Sequence, residues 1–146
     1  MANVLFVCTG NTCRSPMAEA ILKSRSIPGV EVKSAGVFAA DGSEASANTK
    51  SVLEENGISL QHQSSSMGED LIDWATSILT MTAGHKNTVL SMFPGAEGKT
   101  FTLKEFAGAA GDIIDPYGGP VEIYRSTFKD LNEAIEQILD RVKRED

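Results

Sequence analysis

The chain has 146 residues, with 13 Lys and Arg against 20 Asp and Glu, a formal net charge of −7. That length suits one domain with a sizeable core; an acidic chain without a basic run does not bind nucleic-acid backbones; and 41% hydrophobic with 23% charged residues excludes disorder. No apolar run approaches the roughly 18–20 residues that span a bilayer, and Met1-Ala2-Asn3-Val4 lacks the basic start of a signal peptide, so the expected location is cytoplasmic, away from membranes.

Asn3 to Cys8 is an almost continuous apolar run, which predicts a central parallel strand buried on both faces. Thr9 to Thr12 reads as a tight loop. Ser15-Pro16 predicts a helix start with Pro at the first helical position, and Met17, Ala18, Ile21 and Leu22 give that helix an apolar face. Pro28-Gly29 ends it. Val30 to Ser34 alternates as a second strand, closed by Ser34-Ala35-Gly36. Residues 38–47 are small and polar, a surface loop, and Asn48 to Asn56 is a short helix ending at Gly57.

Ser66-Met67-Gly68-Glu69 has capping-box spacing ahead of Leu71, Ile72, Trp74 and Ala75. Ser77 to Met81 is a third strand, Thr82 caps a helix running through Met92, and Lys99 to Leu103 is a fourth strand. Residues 108–119 are irregular, and Pro120 opens the longest helix. In it Tyr124, Phe128, Leu131, Ile135, Ile138 and Val142 form one buried stripe. Strands alternating with helices predict an α/β fold: a four-stranded parallel sheet with helices on both faces and right-handed crossovers. With no repeat or linker, residues 1–146 read as a single domain.

The chemistry lies in Cys8-Thr9-Gly10-Asn11-Thr12-Cys13-Arg14-Ser15, a C-x5-R-S loop between a strand's C-terminal end and a helix N-terminus. Ligands bind there in doubly wound sheets, and the free N–H groups and partial positive charge of a helix start attract anions. Successive inward amides make a nest for a tetrahedral oxyanion; Gly10 and Asn11 tolerate the backbone turns this needs. Arg14 adds a planar fork of donors matched to phosphate oxygens. The same positive field favours the thiolate of Cys8, and Ser15 is placed to donate its hydroxyl to it. A thiolate below a bound phosphate attacks phosphorus in line.

The segment Val7 to Pro16, V-C-T-G-N-T-C-R-S-P, resembles the phosphate loop of low-molecular-weight protein tyrosine phosphatases, a flavodoxin-like three-layer fold. The resemblance extends through Ser34-Ala35-Gly36 and Asp115-Pro116-Tyr117 over nearly the whole chain. It implies a cysteine nucleophile, Cys8; a phosphate-binding arginine, Arg14; and an aspartate general acid, Asp115, which protonates the leaving group and then deprotonates the hydrolytic water. Asp112, without a following Pro, reads as a solvated loop residue.

Two departures from the tyrosine-specific members bear on substrate. Thr12 stands where they commonly carry an apolar β-branched residue, and its hydroxyl can accept from a guanidinium. Gly118-Gly119 follows Tyr117 where they put another aromatic. Both features resemble the protein-arginine phosphatase branch of the family, whose substrate is phosphoarginine on proteins. Thr9, Gly10, Asn11, Thr12, Cys13 and Ser15 are the expected substrate-binding loop, with Phe38 and Tyr117 flanking the side chain. No cofactor or metal is expected, and the protein is expected to act as a monomer.

A phosphotyrosine phosphatase of the same family is the alternative. Arsenate reduction is disfavoured, because no cysteine follows Cys13 for a thiol relay, and a non-catalytic phosphate-binding or redox module needs neither nucleophile nor acid. Cys13 is a candidate partner for Cys8 under oxidation. The two histidines, His62 and His85, fall outside both motifs and read as surface or capping residues. The mixed-charge tail, Asp140 to Asp146, reads as a solvated helix end.

Overall fold

The computed structural model describes residues 2–144, with the side chain of Arg144 left out. Four parallel strands, β1 (Ala2–Cys8), β2 (Val30–Gly36), β3 (Ser77–Thr80) and β4 (Thr100–Thr102), lie in the order β2-β1-β3-β4. β1 pairs on one side with β2, Cys8 opposite Gly36, and on the other with β3, Val7 opposite Thr80. The chain thus steps from β1 to opposite sides of the sheet. The C-terminal end of β1 lies at this switch of direction, where open α/β sheets form their crevice.

β1 is buried on both faces, as its apolar run requires. Val4, Phe6 and Cys8 belong to one core layer, which includes residues of α1 (Arg14–Ser24), α2 (Ala47–Glu55), the short α5 (Leu103–Phe106) and α6 (Val121–Arg144). Leu5 and Val7 face the other, with Ile72 of α3 (Glu69–Trp74), Val89 of α4 (Ala83–Met92) and Ala96 of a 3-10 helix at Pro94–Lys99. Strand alternation therefore sends Cys8 to the face that carries α1.

The helix boundaries depart from the sequence reading in physically simple ways. α1 begins at Arg14, not Pro16, because Met17 N already donates to Cys13 O (3.1 Å). Pro16 is then the third helical residue, where a missing N–H costs nothing. The capping box at Ser66 does not form: Gly68 is the cap of α3 and offers no side chain, while Ser66 bridges to Gly36 and its N–H donates to Asp41. A capping box does form at Thr102 and Glu105, opening α5. Thr82 caps α4 as expected, accepting from His85 N.

On α6, Tyr124, Leu131, Ile135, Ile138 and Val142 are buried, but Thr127 is buried beside them and Phe128 is only partly so. Thr127 tolerates this because its hydroxyl donates to Ile123 O (3.0 Å). In the tail, Asp140 and Lys143 are exposed, whereas the Arg141 guanidinium stacks 3.7 Å from the Phe106 ring centre. The expectations for Met1, Glu145 and Asp146 lie outside the described residues.

Candidate active site

Residues 8–14 wrap from the end of β1 to the first turn of α1 and are held from beneath. Asn11 adopts φ 57° and is fully buried, a conformation that asparagine tolerates better than most residues. Its side chain fixes the turn three ways: Nδ2 donates to Ser15 Oγ (2.7 Å) and Ser34 Oγ (2.9 Å), and Oδ1 accepts from Ser65 N (2.9 Å). Its backbone carbonyl accepts from His62 Nε2 (2.7 Å).

Gly36 lets the loop pass over β2. A Cβ there would meet Thr9 O at 2.4 Å and Asn11 N at 2.9 Å, a contact that only glycine avoids. The chain after Gly36 completes the clamp, Val37 N donating to Cys8 O and Phe38 N to Thr9 O, both at 3.0 Å.

Below the loop lies Glu19 of α1. It accepts from Ser34 Oγ (2.5 Å) and Lys23 Nζ (2.5 Å), and His62 Nδ1 stands 3.7 Å from it. Burial pushes the Glu19 carboxyl up; hydrogen bonds from His62, Lys23 and Ser34 outweigh that and hold it below the usual carboxylate value. Asn11, Ser34, Glu19 and His62 thus close a ring of polar groups under the loop.

Cys8 Sγ lies 2.8 Å from Ser15 Oγ, and both residues are buried. Asn11 Nδ2 donates to that hydroxyl, whose own hydrogen has two acceptors, the sulfur and, farther off at 3.5 Å, Ala35 O. Arg14 is 5% exposed, its Nη1 donating to Ile113 O (3.0 Å) and its Nη2 lying 3.7 Å from Asp115 Oδ2. The Asp115 side chain is 52% exposed, and its Oδ1 accepts from Tyr117 N (3.0 Å). That aspartate turn across buried Pro116 fixes the carboxyl relative to the loop.

Cys8, Thr9, Gly10, Thr12, Cys13 and Arg14 line a pocket of about 230 Å³, and Asp115 and Tyr117 line it from the opposite loop. The structure thus gathers into one cavity a thiol, a guanidinium and a carboxyl that are up to 107 positions apart in sequence (from Cys8 to Asp115). Asn11 and Ser15 stand behind this surface, not on it. Phe38 is 77% exposed and outside the lining. Asp112 is exposed as expected, and its Oδ1 also accepts from Ala83 N (2.9 Å), covering the start of α4.

Neither histidine is a surface residue, although His85 does take part in the cap of α4. His62 reaches the carbonyl of Asn11, and His85, buried, has its Nε2 2.8 Å from Thr9 Oγ1 and its Nδ1 3.0 Å from Thr82 Oγ1. Burial lowers the pKa of His85, and Arg14 lowers it further, to about 4, although Asp115 and Asp112 oppose this. No local signal marks either residue, because each meets the loop only through the sheet's tertiary arrangement. Cys13 is buried and unpaired as a free thiol, its Sγ 3.6 Å from both Ser46 Oγ and Tyr124 OH. Burial, then the bond to Cys13, raises the Tyr124 pKa.

Comparison with known proteins places the chain as a whole. The family model for low molecular weight phosphotyrosine protein phosphatases matches residues 3–146. A protein-arginine-phosphatase of Geobacillus stearothermophilus is 55% identical over 143 residues, covering 97% of each chain. A low molecular weight protein-tyrosine-phosphatase PtpB of Staphylococcus haemolyticus (strain JCSC1435) is 39% identical over 133 residues, 88% of this chain and 91% of that one. The solved structure of the YwlE arginine phosphatase from Geobacillus stearothermophilus has a TM-score of 0.97 at 54% identity, covering 99% of this chain and 95% of that one.

Proposed function

The chain belongs to the low molecular weight phosphotyrosine protein phosphatase family, and on that premise we propose that it is a cysteine-dependent protein phosphatase that hydrolyses phosphoarginine on proteins. The observation that carries this reading is the single pocket lined by Cys8, Arg14, Thr12 and Asp115. The whole chain, 1–146, is assigned to this one phosphatase domain.

Each residue has a chemical task in the reaction. The N–H groups of residues 9–14 and the Arg14 fork hold the phosphoryl oxygens. The Cys8 thiolate, steadied by the Ser15 hydroxyl, forms a bond to phosphorus. The P–N bond breaks and its electron pair goes to the guanidine nitrogen. Asp115 gives its proton to that nitrogen, releasing arginine. In the second step water attacks phosphorus, Asp115 takes its proton, and the S–P pair returns to Cys8 as thiolate. The net reaction consumes one phosphoarginine and one water and yields arginine and phosphate.

Substrate choice rests on Thr12 and on the tight turn after Tyr117. Thr12 offers an acceptor to a guanidinium, which has only donors. Gly118, at φ 78°, supplies no second aromatic wall. The greater identity to a protein-arginine-phosphatase than to a tyrosine-specific relative supports the same choice. Phosphotyrosine is the second reading, favoured by Tyr117 at the pocket wall, where a phenol ring stacks.

The test is a quenched reaction of the protein with a phosphoarginine peptide, followed by mass mapping. Phosphate trapped on Cys8 of the wild-type protein supports the proposal. Turnover that survives Cys8→Ser contradicts it.

A further inference from the structure

Thr9 is the only loop residue whose side chain is held from outside the loop by an imidazole among the described hydrogen bonds. Thr9 lines the pocket, one position after Cys8. His85 sits in the first turn of α4, behind Thr9, and the N-terminal end of that helix disfavours positive charge. The ring is buried and stands near Arg14, so it is neutral around pH 7, with one N–H donor and one bare acceptor nitrogen.

The exposure of the two threonines that flank the ring sets which nitrogen carries the hydrogen. Thr82 Oγ1 accepts from His85 N (3.1 Å) and lies 3.0 Å from His85 Nδ1. If Nδ1 carried the hydrogen, Thr82 Oγ1 would accept twice, and its own hydrogen would have no protein acceptor among the described bonds. With Nδ1 bare, the Thr82 hydroxyl donates to it, and the one hydroxyl hydrogen without a protein acceptor is that of Thr9, which is exposed where Thr82 is half-buried. Nε2 then carries the hydrogen, and Thr9 Oγ1, 2.8 Å away, is the acceptor. The Thr9 hydrogen is left free to turn into the pocket.

We propose that His85 is a positioning residue: its Nε2–H donates to Thr9 Oγ1 and aims the Thr9 hydroxyl hydrogen at a phosphate oxygen in the pocket. This deepens the phosphatase reading and rests on it. A Thr82–His85–Thr9 chain extends the anion site by one side-chain donor beyond the backbone amides and Arg14. It also ties the end of β3, through Thr82, to the loop at the end of β1.

The experiment measures inorganic phosphate affinity by calorimetry, together with kcat/KM on a phosphoarginine peptide, for Thr9→Val, His85→Phe and the double variant. Loss of one hydrogen bond to an anion predicts a drop of about tenfold in each single variant. The double variant is expected to lose no more than either, because both act on one donor. His85→Gln, which keeps an N–H toward Thr9, is expected to restore affinity to within about threefold even if its melting temperature falls. The ¹⁵N shifts of the His85 ring are expected to report Nε2–H. A ring protonated at Nδ1, additive effects, or wild-type phosphate binding that Thr9→Val leaves unchanged overturns the inference alone. A wild-type protein that binds no phosphate overturns it together with the pocket reading.

Discussion

Arg14 and Asp115 are held as a pair: Nη2 of the arginine lies 3.7 Å from Oδ2 of the aspartate, while its Nη1 donates to Ile113 O two residues before that aspartate. Arg14 thereby sets where the loop that carries Asp115 sits. A carboxyl so fixed across the pocket from Cys8 is placed to meet the leaving atom of a bound phosphoryl group. In the proposed reaction it gives its proton to the departing nitrogen.

Asp115→Asn keeps the turn to Tyr117 N through its amide oxygen but loses the acid. General acid catalysis contributes about 10²–10⁴-fold, so kcat on a phosphoarginine peptide should fall by that order. An activated aryl phosphate, whose phenolate leaves unaided, should lose much less in its first step. Burst kinetics on the two substrates check this; equal losses in the first step would remove Asp115 from the acid role.

Gly36→Ala places a methyl 2.4 Å from Thr9 O, a backbone atom with no room to retreat. Overpacking of this kind costs about 1–3 kcal/mol. The expected result is a lower melting temperature and a larger fall in activity, since the displaced atoms belong to the phosphate loop. An unchanged kcat/KM would show that the loop adapts.

Glu19→Leu removes the carboxylate to which Ser34, Lys23 and His62 turn. Stranding buried polar partners costs about 1–3 kcal/mol. Thermal unfolding should register the loss, and phosphate affinity should weaken because Asn11 is held by two of those partners. A variant with native stability and native affinity would contradict the ring of bonds as a support.

His85 also predicts a pH dependence of stability. Its pKa is about 4 in the folded protein against an ordinary 6.5. As the pH falls below 6.5, the unfolded chain takes up a proton there that the folded protein refuses, so stability falls and the loss is complete near pH 4. Glu19, held below its usual value of 4.5, adds its own loss only below about pH 4.5. Between pH 6.5 and 5, melting temperature should therefore fall more steeply for the wild type than for His85→Gln. Parallel curves would contradict this.

The sequence disclosed whatever is local. The run Asn3 to Cys8, the loop to Arg14 and the Asp115-Pro116 turn each carry their own signal, and alternation of strands with helices placed the loop at the sheet's C-terminal edge. What escaped notice is tertiary. His62 and His85 touch the loop from 51 and 76 positions away. The missed α5 is four residues long, too short for a periodicity. The expected cap at Ser66 failed because its backbone is drawn to Gly36 instead.

Thr12→Ile keeps the β-branched shape and removes the hydroxyl. It should move the ratio of phosphoarginine to phosphotyrosine hydrolysis toward phosphotyrosine by about tenfold or more, one lost hydrogen bond at a guanidinium. A ratio that stays put would take Thr12 out of specificity.

The measurement that bears most directly on the account is kcat/KM for matched phosphoarginine and phosphotyrosine peptides on the wild-type protein, with Cys8→Ser as control. The account predicts a preference for phosphoarginine that disappears with the Cys8 thiol. A preference for phosphotyrosine, or hydrolysis of phosphoarginine by the Cys8→Ser variant, would contradict it.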